Sequence, residues 1–332
     1  MGDITELGKG IRIEYGEYFA KESVENPKVS IIVPAYNVAE YLEECLGSLV
    51  QQTLRDIEIL IIDDGSFDLT SEIINMFKGD ARVRVYTQGN SGPSLSRNKG
   101  INLAKGEYIA TLDPDDYYAP NFCEKLLSYA IDNNADMSCC NMQHIRESGK
   151  IVKNRILRVT QKDRLVSHNK NFLNLLNPAT TNKIMKKEIY MTSLNFKERD
   201  ILKDFYQFWR GFSIKDYKIV LLNEELYFFR QRKSSITHSK CTSKDKNDGL
   251  YKTANLILDY LISNNQYENL KNIFWYSIAE KFKKIYKRGH EYKSALLEFH
   301  LLADKYLIPR KDLKILSATA LFLKIKRKTI KL

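Results

Sequence analysis

The chain has 332 residues, 43% of them hydrophobic, which is enough for one large or two modest domains around a sizeable core and excludes global disorder. Its formal net charge is +11, from 52 Lys and Arg against 41 Asp and Glu, pointing to an anionic partner: nucleic acid, an acidic membrane surface or a phosphorylated ligand. Cys45, Cys123, Cys139, Cys140 and Cys241 show neither metal-ligand spacing nor a disulfide framework, and an odd count fits a reducing compartment. Residues 1–19 mix charges without an apolar core, so neither signal peptide nor anchor is expected. No apolar run reaches the roughly 18 residues of a membrane span.

Residues 1–27 lack a clean period and read as a partly helical N-terminal extension. Val29–Val33 is a β-branched run stopped by Pro34, the pattern of a strand buried on both faces. Tyr41, Leu42, Cys45, Leu46 and Leu49 then recur at helical spacing. Ile57–Ile62 predicts a second buried strand ending in Asp63-Asp64-Gly65-Ser66, and Asp68 caps a helix through Phe77. Val83–Tyr86 predicts a third strand, Gly92–Ala104 a loop and helix, and Tyr108–Leu112 a fourth strand. A helix follows from Pro120 to about Asn133, then a strand at Met137–Cys140. Residues 142–170 read as a basic hairpin or loop region, Thr181–Met191 and Ile201–Ile214 as helices, and Lys218–Leu222 and Leu226–Phe229 as strands. From about Lys244 the chain reads as helical and Lys-rich.

Strands alternating with helices predict an α/β fold with a mostly parallel central sheet. Ligands bind such sheets beyond the carboxyl ends of the strands. Three polar stretches fall there: Pro34-Ala35-Tyr36-Asn37, Asp63-Asp64-Gly65-Ser66 and Asp113-Pro114-Asp115-Asp116. In an extended segment Asp113 and Asp115 point to one side. Two hard oxygen donors suit Mg²⁺ or Mn²⁺, and such a cation would make a diphosphate a better leaving group. The competing assignment is that the acids only cap the next helix.

The whole series resembles the family 2 inverting glycosyltransferases of the GT-A (Rossmann-like) fold, which use nucleotide-sugar donors. Val29–Asn37 looks like their opening strand, Ile61–Asp68 their second-strand signature, and Gly92–Gly100 their glycine-to-Arg-Asn-x-Gly segment, with Ser96 where Ala is usual. Leu112–Asp116 looks like their D-x-D loop. The resemblance implies that Pro34, Ala35 and Tyr36 line the nucleobase and ribose pocket and that Asp64, with Asp63 beside it, accepts a hydrogen bond from the uracil ring N–H. Helix capping is the alternative for both acids. It also implies Arg97 near the nucleotide or its phosphates, the alternative being a plain ion pair with a strand-end acid. Asp113 and Pro114 would meet the donor, Asp113 the metal too, Asp115 would be the main metal ligand, and Asp116 would serve the helix or donor hydroxyls.

Inverting chemistry needs a base for the acceptor hydroxyl. In the family this is the Asp of a Glu-Asp pair upstream of a Tyr-x-Tyr-Arg-x-Arg-x-x-Ser-Ile-Thr signature, which Tyr227–Thr237 resembles. Counting back places Asp204 at the base position, with Lys203 in place of Glu, a neighbour that would lower the Asp pKa. Asp200 and Glu198 are the fallback bases. Thr181-Asn182-Lys183-Ile184 resembles the family's Trp-Asn-Lys-Leu segment on the acceptor side, against a reading of Lys183 as a solvated helix residue. His238 is either a third metal ligand or an exposed loop residue. Arg230 and Arg232 share one side of a strand and either hold the pyrophosphate or pair with Glu224 or Glu225.

The expected organisation is an extension over 1–27, a GT-A domain over 28–240 (nucleotide-sugar half 28–141, acceptor half 142–240) and a basic helical region over 241–332. Ile273–Tyr286 carries Phe274, Trp275, Ile278, Phe282 and Ile285 as a core stripe. Residues 305–332 read as a basic amphipathic helix, either resting on an anionic bilayer or solvated. The expectation is a UDP-sugar donor, a divalent cation (Mn²⁺ or Mg²⁺), and a saccharide or lipid-linked saccharide acceptor in bacterial capsule, O-antigen or lipooligosaccharide synthesis. The expected location is the cytoplasm or the cytoplasmic face of the inner membrane. A nucleic-acid role is not expected, because no basic-aromatic module occurs. The alternative is a non-catalytic nucleotide-sugar-binding partner subunit, motivated by Lys203.

Overall fold

The computed structural model describes residues 15–148, 150–152, 165–166, 181–191, 217–232, 243–286 and 292–309. The chain divides into two compact units, one of Met1–Val166, Ala179–Phe196 and Tyr217–Arg232, the other of Ser167–Pro178, Lys197–Asp216 and Lys233–Leu332.

The first unit is built on a sheet with ten strands among the described residues: β1 Val29–Ala35, β2 Ile57–Asp63, β3 Val83–Thr87, β4 Tyr108–Thr111, β5 Tyr117–Tyr118, β6 Met137–Arg146, β7 Ile151–Val152, β8 Leu165–Val166, β9 Lys183–Lys186 and β10 Ile219–Gln231. Their order is β3-β2-β1-β4-β9-β6-β10-β5, with β7 on β6 and β8 on β10. The β3-β2-β1-β4 half is parallel throughout. β9 runs antiparallel to both β4 and β6, and β10 returns to a parallel pairing with β6. This is the α/β layering that the strand pattern predicts, and it agrees with the GT-A architecture that the resemblance implies.

Both faces of β1 and β2 are covered, so every residue of the two strands is buried. α3 (Pro93–Leu103) packs on β1 and β2, α1 (Ala39–Val50) and α2 (Thr70–Phe77) add Leu42, Cys45, Leu46, Leu49, Ile74 and Phe77 to the same core, and α4 (Phe122–Asp132) packs on β6, β9 and β10. α3 comes so close to β1 that a Cβ on Gly100 would lie 2.4 Å from Ile32 Cγ2. At the amino ends of the strands the buried Glu58 accepts hydrogen bonds from Ser30 Oγ (2.6 Å) and the Lys105 N–H (2.5 Å) and pairs with Arg84 (2.6 Å). A buried carboxylate is stable only when satisfied in this way. That network leaves the opposite, carboxyl edge for the polar stretches.

Part of the expected N-terminal extension is packed on this sheet unit. The Tyr15 and Phe19 rings lie 5.2 and 6.2 Å from Phe77. Arg82, buried against Asp80 at 2.6 Å, also donates to the carbonyls of Val50 (2.8 Å) and Tyr18 (3.3 Å).

Three expectations are corrected. Thr181–Met191 is a turn, strand β9 and the short helix α5 (Lys187–Met191), not one helix; Ile184 and Met185 bury their side chains in the sheet instead of following a helical stripe. The two strands expected at 218–222 and 226–229 are one, β10, with register shifts on either side of Glu225. The Asp68 carboxylate does not act from the cap position, which Leu69 occupies; it accepts the Thr70 N–H at 3.0 Å and the Ala39 N–H at 3.3 Å, joining the starts of two helices.

The described part of the second unit is α6 (Ser243–Ser263), α7 (Tyr267–Tyr286) and α8 (Tyr292–Lys305). Leu250, Ile257, Leu261, Phe274, Trp275, Ile278 and Phe299 bury their side chains, and Trp275 Nε1 donates to the Tyr267 hydroxyl at 3.0 Å. Among the described residues no helix is long and apolar enough to cross a membrane.

Candidate active site

The turn after β2 is held by its own acids. Asp63 accepts the Ser66 N–H (3.0 Å) and the Ser71 hydroxyl (3.1 Å). Asp64 accepts the N–H groups of Ser91 (2.9 Å) and Gly92 (2.7 Å) and the Gln88 amide (2.7 Å). An ionised carboxylate offers about four acceptor sites, so three are taken by the loop before α3 and one remains. Gly65 has φ +80°, a left-handed conformation that favours glycine, and a Cβ there would meet the Gln88 carbonyl at 3.0 Å. The segment after β1 is zipped to this turn: Ser66 Oγ accepts the Asn37 N–H (3.1 Å), Asn37 Oδ1 the Phe67 N–H (3.0 Å) and Thr70 Oγ1 the Val38 N–H (2.9 Å). The zipper sets Tyr36 and Phe67 edge to face, 6.2 Å apart, although Phe67 is 82% exposed.

The acid loop follows β4. The Asp116 N–H closes on the Asp113 carbonyl at 3.0 Å, and the chain enters β5, whose two residues pair antiparallel with Tyr227 and Phe228 of β10. Tyr117 stacks on Phe228 with ring centroids 4.6 Å apart. That pairing delivers the end of β10 to the acids. The buried Asp116 carboxylate accepts the Tyr227 hydroxyl and, at 2.7 Å, the Arg230 N–H. Arg97 pairs with Asp113 and Arg232 with Asp115, each at 2.6 Å. Arg230 donates from Nε to the Asp115 carbonyl (3.0 Å) and pairs with Glu44 of α1. The Tyr41 ring lies 5.0 Å from the Arg232 guanidinium carbon and 5.5 Å from that of Arg230.

Burial pushes the Asp115 carboxyl above its ordinary value, and repulsion from Asp113 adds to the rise against the pull of Arg232. Asp116 is pushed well above, by burial first and then by Asp115 and Asp113. Cys45 beneath the loop is pushed up by burial and the same acids, which keeps it a neutral thiol. Strained carboxylates of this kind favour added positive charge. Asp113 and Asp115 are hard oxygen donors and fit an Mg²⁺ or Mn²⁺ ion. Among the described residues no third His, Cys, Asp or Glu completes a cluster with them.

Of the residues singled out in the sequence, Asp113, Asp115, Arg97, Arg230 and Arg232 come together, while Pro34, Ala35, Tyr36, Asp63 and Asp64 sit at the ends of β1 and β2. Asp204, Lys203, Asp200, Glu198 and His238 lie outside the described residues. The pairing of Arg230 and Arg232 with Glu224 and Glu225 is not what the structure has: Glu224 pairs with Lys125 (3.2 Å), and the arginines turn to Glu44 and Asp115. Lys183 is not a solvated helix residue. It is 2% exposed at the start of β9. Sequence reasoning missed Glu44, Gln88 and Phe67 and counted Tyr41 as core. The signal for Tyr41 and Glu44 was their i, i+3 spacing on the polar side of α1, whose apolar side Leu42, Cys45 and Leu46 already fill.

Residues 30–194 match the family described as Glycosyl transferase family 2. Glycosyltransferase GlyG of Streptococcus pneumoniae is 33% identical over 226 residues, which cover 64% of this chain and 73% of that protein. The chain belongs to glycosyl transferase family 2. A further family relative, described as uncharacterized glycosyltransferase EpsJ of Bacillus subtilis, is 47% identical over 115 residues, 34% of this chain and 33% of EpsJ. The chain thus spans about a third of the length of EpsJ and of S. pneumoniae GlyA, at 33% and 31%. Among solved structures, Staphylococcus aureus TarS 1–349 in complex with UDP-GlcNAc shares the fold, with a TM-score of 0.61 and 18% identity over 91% of this chain and 92% of that one.

Proposed function

We propose that this family 2 chain is a metal-dependent, inverting glycosyltransferase that moves a sugar from a UDP-sugar donor to a saccharide or lipid-linked saccharide in bacterial surface-polysaccharide assembly. The observation that carries the reading is the carboxylates Asp113 and Asp115 at the carboxyl edge of the sheet, paired with Arg97 and Arg232, with Arg230 beside them on the Asp115 carbonyl. The TarS complex with UDP-GlcNAc supports a uridine nucleotide as donor.

In this reading Tyr36 and Phe67 flank the base, and the remaining acceptor site on Asp64 takes the uracil N–H. Asp115 and Asp113 hold the cation, which supplies charge neutralisation of the departing diphosphate. Arg97, Arg230 and Arg232 bind phosphate oxygens as permanent cations with fork geometry. Asp204 removes the proton from the acceptor hydroxyl as that oxygen attacks the anomeric carbon from the face opposite the diphosphate. The sugar–phosphate bond breaks as the new glycosidic bond forms, so an α-linked donor gives a β-linked product.

The test is nucleotide release across UDP-, GDP- and dTDP-sugars with Mn²⁺ or Mg²⁺, for wild type and Asp204→Asn. Release from a UDP-sugar that acceptor stimulates and Asp204→Asn abolishes is expected. Release from GDP- or dTDP-sugars alone would refute the donor class, and an unchanged Asp204→Asn rate would refute the base.

A further inference from the structure

Two cationic species have a claim on Asp115. The proposed dication needs this carboxylate, yet Arg232 already pairs with its Oδ2 at 2.6 Å. A guanidinium and a dication cannot both occupy that face without strong repulsion. One must leave when the other arrives, and the structure shows where the arginines rest in the meantime. Arg230, 5% exposed, is pinned by the Asp115 and Glu147 carbonyls and by Glu44. Arg232 is held less completely: it has the Asp115 contact and the Tyr41 ring at 5.0 Å, while its buried Nε has no hydrogen-bond partner. A buried unpartnered donor raises the energy of the resting arrangement. Arg232 is therefore the arginine poised to move.

Tyr41 and Glu44 explain why a surface helix face carries an aromatic ring and an acid one turn apart. Both lie on α1, and the core of α1 needs neither. The ring offers its electron-rich face and the acid its charge, a seat that two guanidiniums can take without a phosphate present.

We propose that Tyr41 and Glu44 are positioning residues that park Arg232 and Arg230, and that the site loads by cation exchange: the dication takes Asp115 from Arg232, the released Arg232 transfers to the diphosphate, and the diphosphate then draws Arg230 from Glu44. The proposal rests on the reading above, on its divalent cation for the first half and on its diphosphate donor for the second. No bond is made or broken; one carboxylate exchanges an organic cation for a metal, and the arginines exchange a carboxylate and a ring for phosphate oxygens. The seat keeps the acid loop neutralised before loading and makes metal and nucleotide binding mutually favourable, since each removes the other's competitor.

The test begins with Mn²⁺ alone, titrated into wild type, Arg232→Gln and Tyr41→Leu while free Mn²⁺ is followed by electron paramagnetic resonance. Arg232→Gln should bind Mn²⁺ at least about fivefold tighter, because Asp115 is vacated. Tyr41→Leu changes no charge, so a general field effect predicts no change; loss of the seat predicts about two- to threefold tighter binding. Calorimetry with UDP and Mn²⁺ should then show Arg232→Gln weaker than wild type and Glu44→Gln about two- to fivefold tighter. Unchanged or weaker Mn²⁺ binding in both Arg232→Gln and Tyr41→Leu, with melting temperatures near wild type, overturns the exchange. Weaker UDP binding in Glu44→Gln shows a plain structural pair and overturns the seat. A wild type that binds Mn²⁺ and no UDP refutes the donor reading and the transfer to phosphate, while the Mn²⁺ titrations still decide the exchange at Asp115. Should Arg232→Gln fail to fold, Tyr41→Leu carries that decision.

Discussion

Asp116 joins the acid loop to the end of β10, and its removal separates the hydrogen-bonding and electrostatic parts of that junction. Asp116→Ala leaves the Arg230 N–H without its 2.7 Å acceptor, while the Tyr227 hydroxyl can still turn to Thr181. One buried unsatisfied donor costs about 1–3 kcal/mol, and the void where the 1%-exposed carboxylate stood adds to it, giving roughly 2–4 kcal/mol. Asp116→Asn keeps an acceptor for Arg230 and a donor for Tyr227, so it should cost no more than about 1 kcal/mol at acid pH. The pH dependence has a definite sign. Because the folded pKa is raised, the folded state binds more protons than the unfolded state between the ordinary Asp value near about 3.9 and the folded value. Wild-type stability therefore falls as pH rises through that window, and Asn has no such slope. Urea unfolding midpoints of the three proteins from pH 4 to pH 8 would show Asp116→Asn gaining on wild type with pH and Asp116→Ala below both in the acid range. An Asn variant as damaged as the Ala variant, with a gap to wild type that does not change with pH, would refute the reasoning.

Asp115→Ala should abolish Mn²⁺-dependent UDP binding in calorimetry, since one hard carboxylate remains. In wild type, Mn²⁺ affinity should begin to fall on acidification at a pH above the ordinary carboxylate range, because the raised Asp115 must be ionised to bind; a fall confined to the ordinary range would contradict its strained environment. Phe67→Ser should leave the unfolding free energy within about 0.5 kcal/mol of wild type and weaken UDP binding at least about fivefold, as loss of a stacking ring does. Arg82→Met strands Asp80, a buried partner with no exposed side-chain surface, and should cost about 3–5 kcal/mol in urea unfolding.

The parallel half of the sheet was legible because its strands are continuous apolar runs ending in polar turns, and burial on both faces demands such runs. β9 was not. Lys183-Ile184-Met185-Lys186 has two apolar residues between lysines, and only the ladder to β4 and β6 makes it a strand. The continuity of β10 was hidden by Asn223-Glu224-Glu225, polar residues that read as a break and are instead where the register shifts. Within the site, the acids could be found from their position at strand ends. Their partners could not, because Arg232 and Asp115 are far apart in sequence and meet only through the two-residue pairing of β5 with β10.

The signature acids have two kinds of work. Asp63 and Asp64 accept backbone N–H groups from the loops around them and Asp116 accepts that of Arg230 in β10, at 2.7–3.0 Å, and so they fix where those segments run. Among the described residues Asp113 and Asp115 face guanidiniums, Arg97 and Arg232. A contact to backbone amides cannot be exchanged without unfolding a turn, whereas an arginine can swing away on its flexible stem. The two kinds therefore differ in what substitution should do. Changes at Asp63 and Asp116 act through loop geometry and register as lost stability before lost affinity. Changes at Asp113 and Asp115 leave the loops in place and act on the charge that a diphosphate and its cation would meet. Asp64 sits between the classes, with three acceptor sites held by the Gln88–Gly92 loop and one left to recognise a base, so its variants should lose both together.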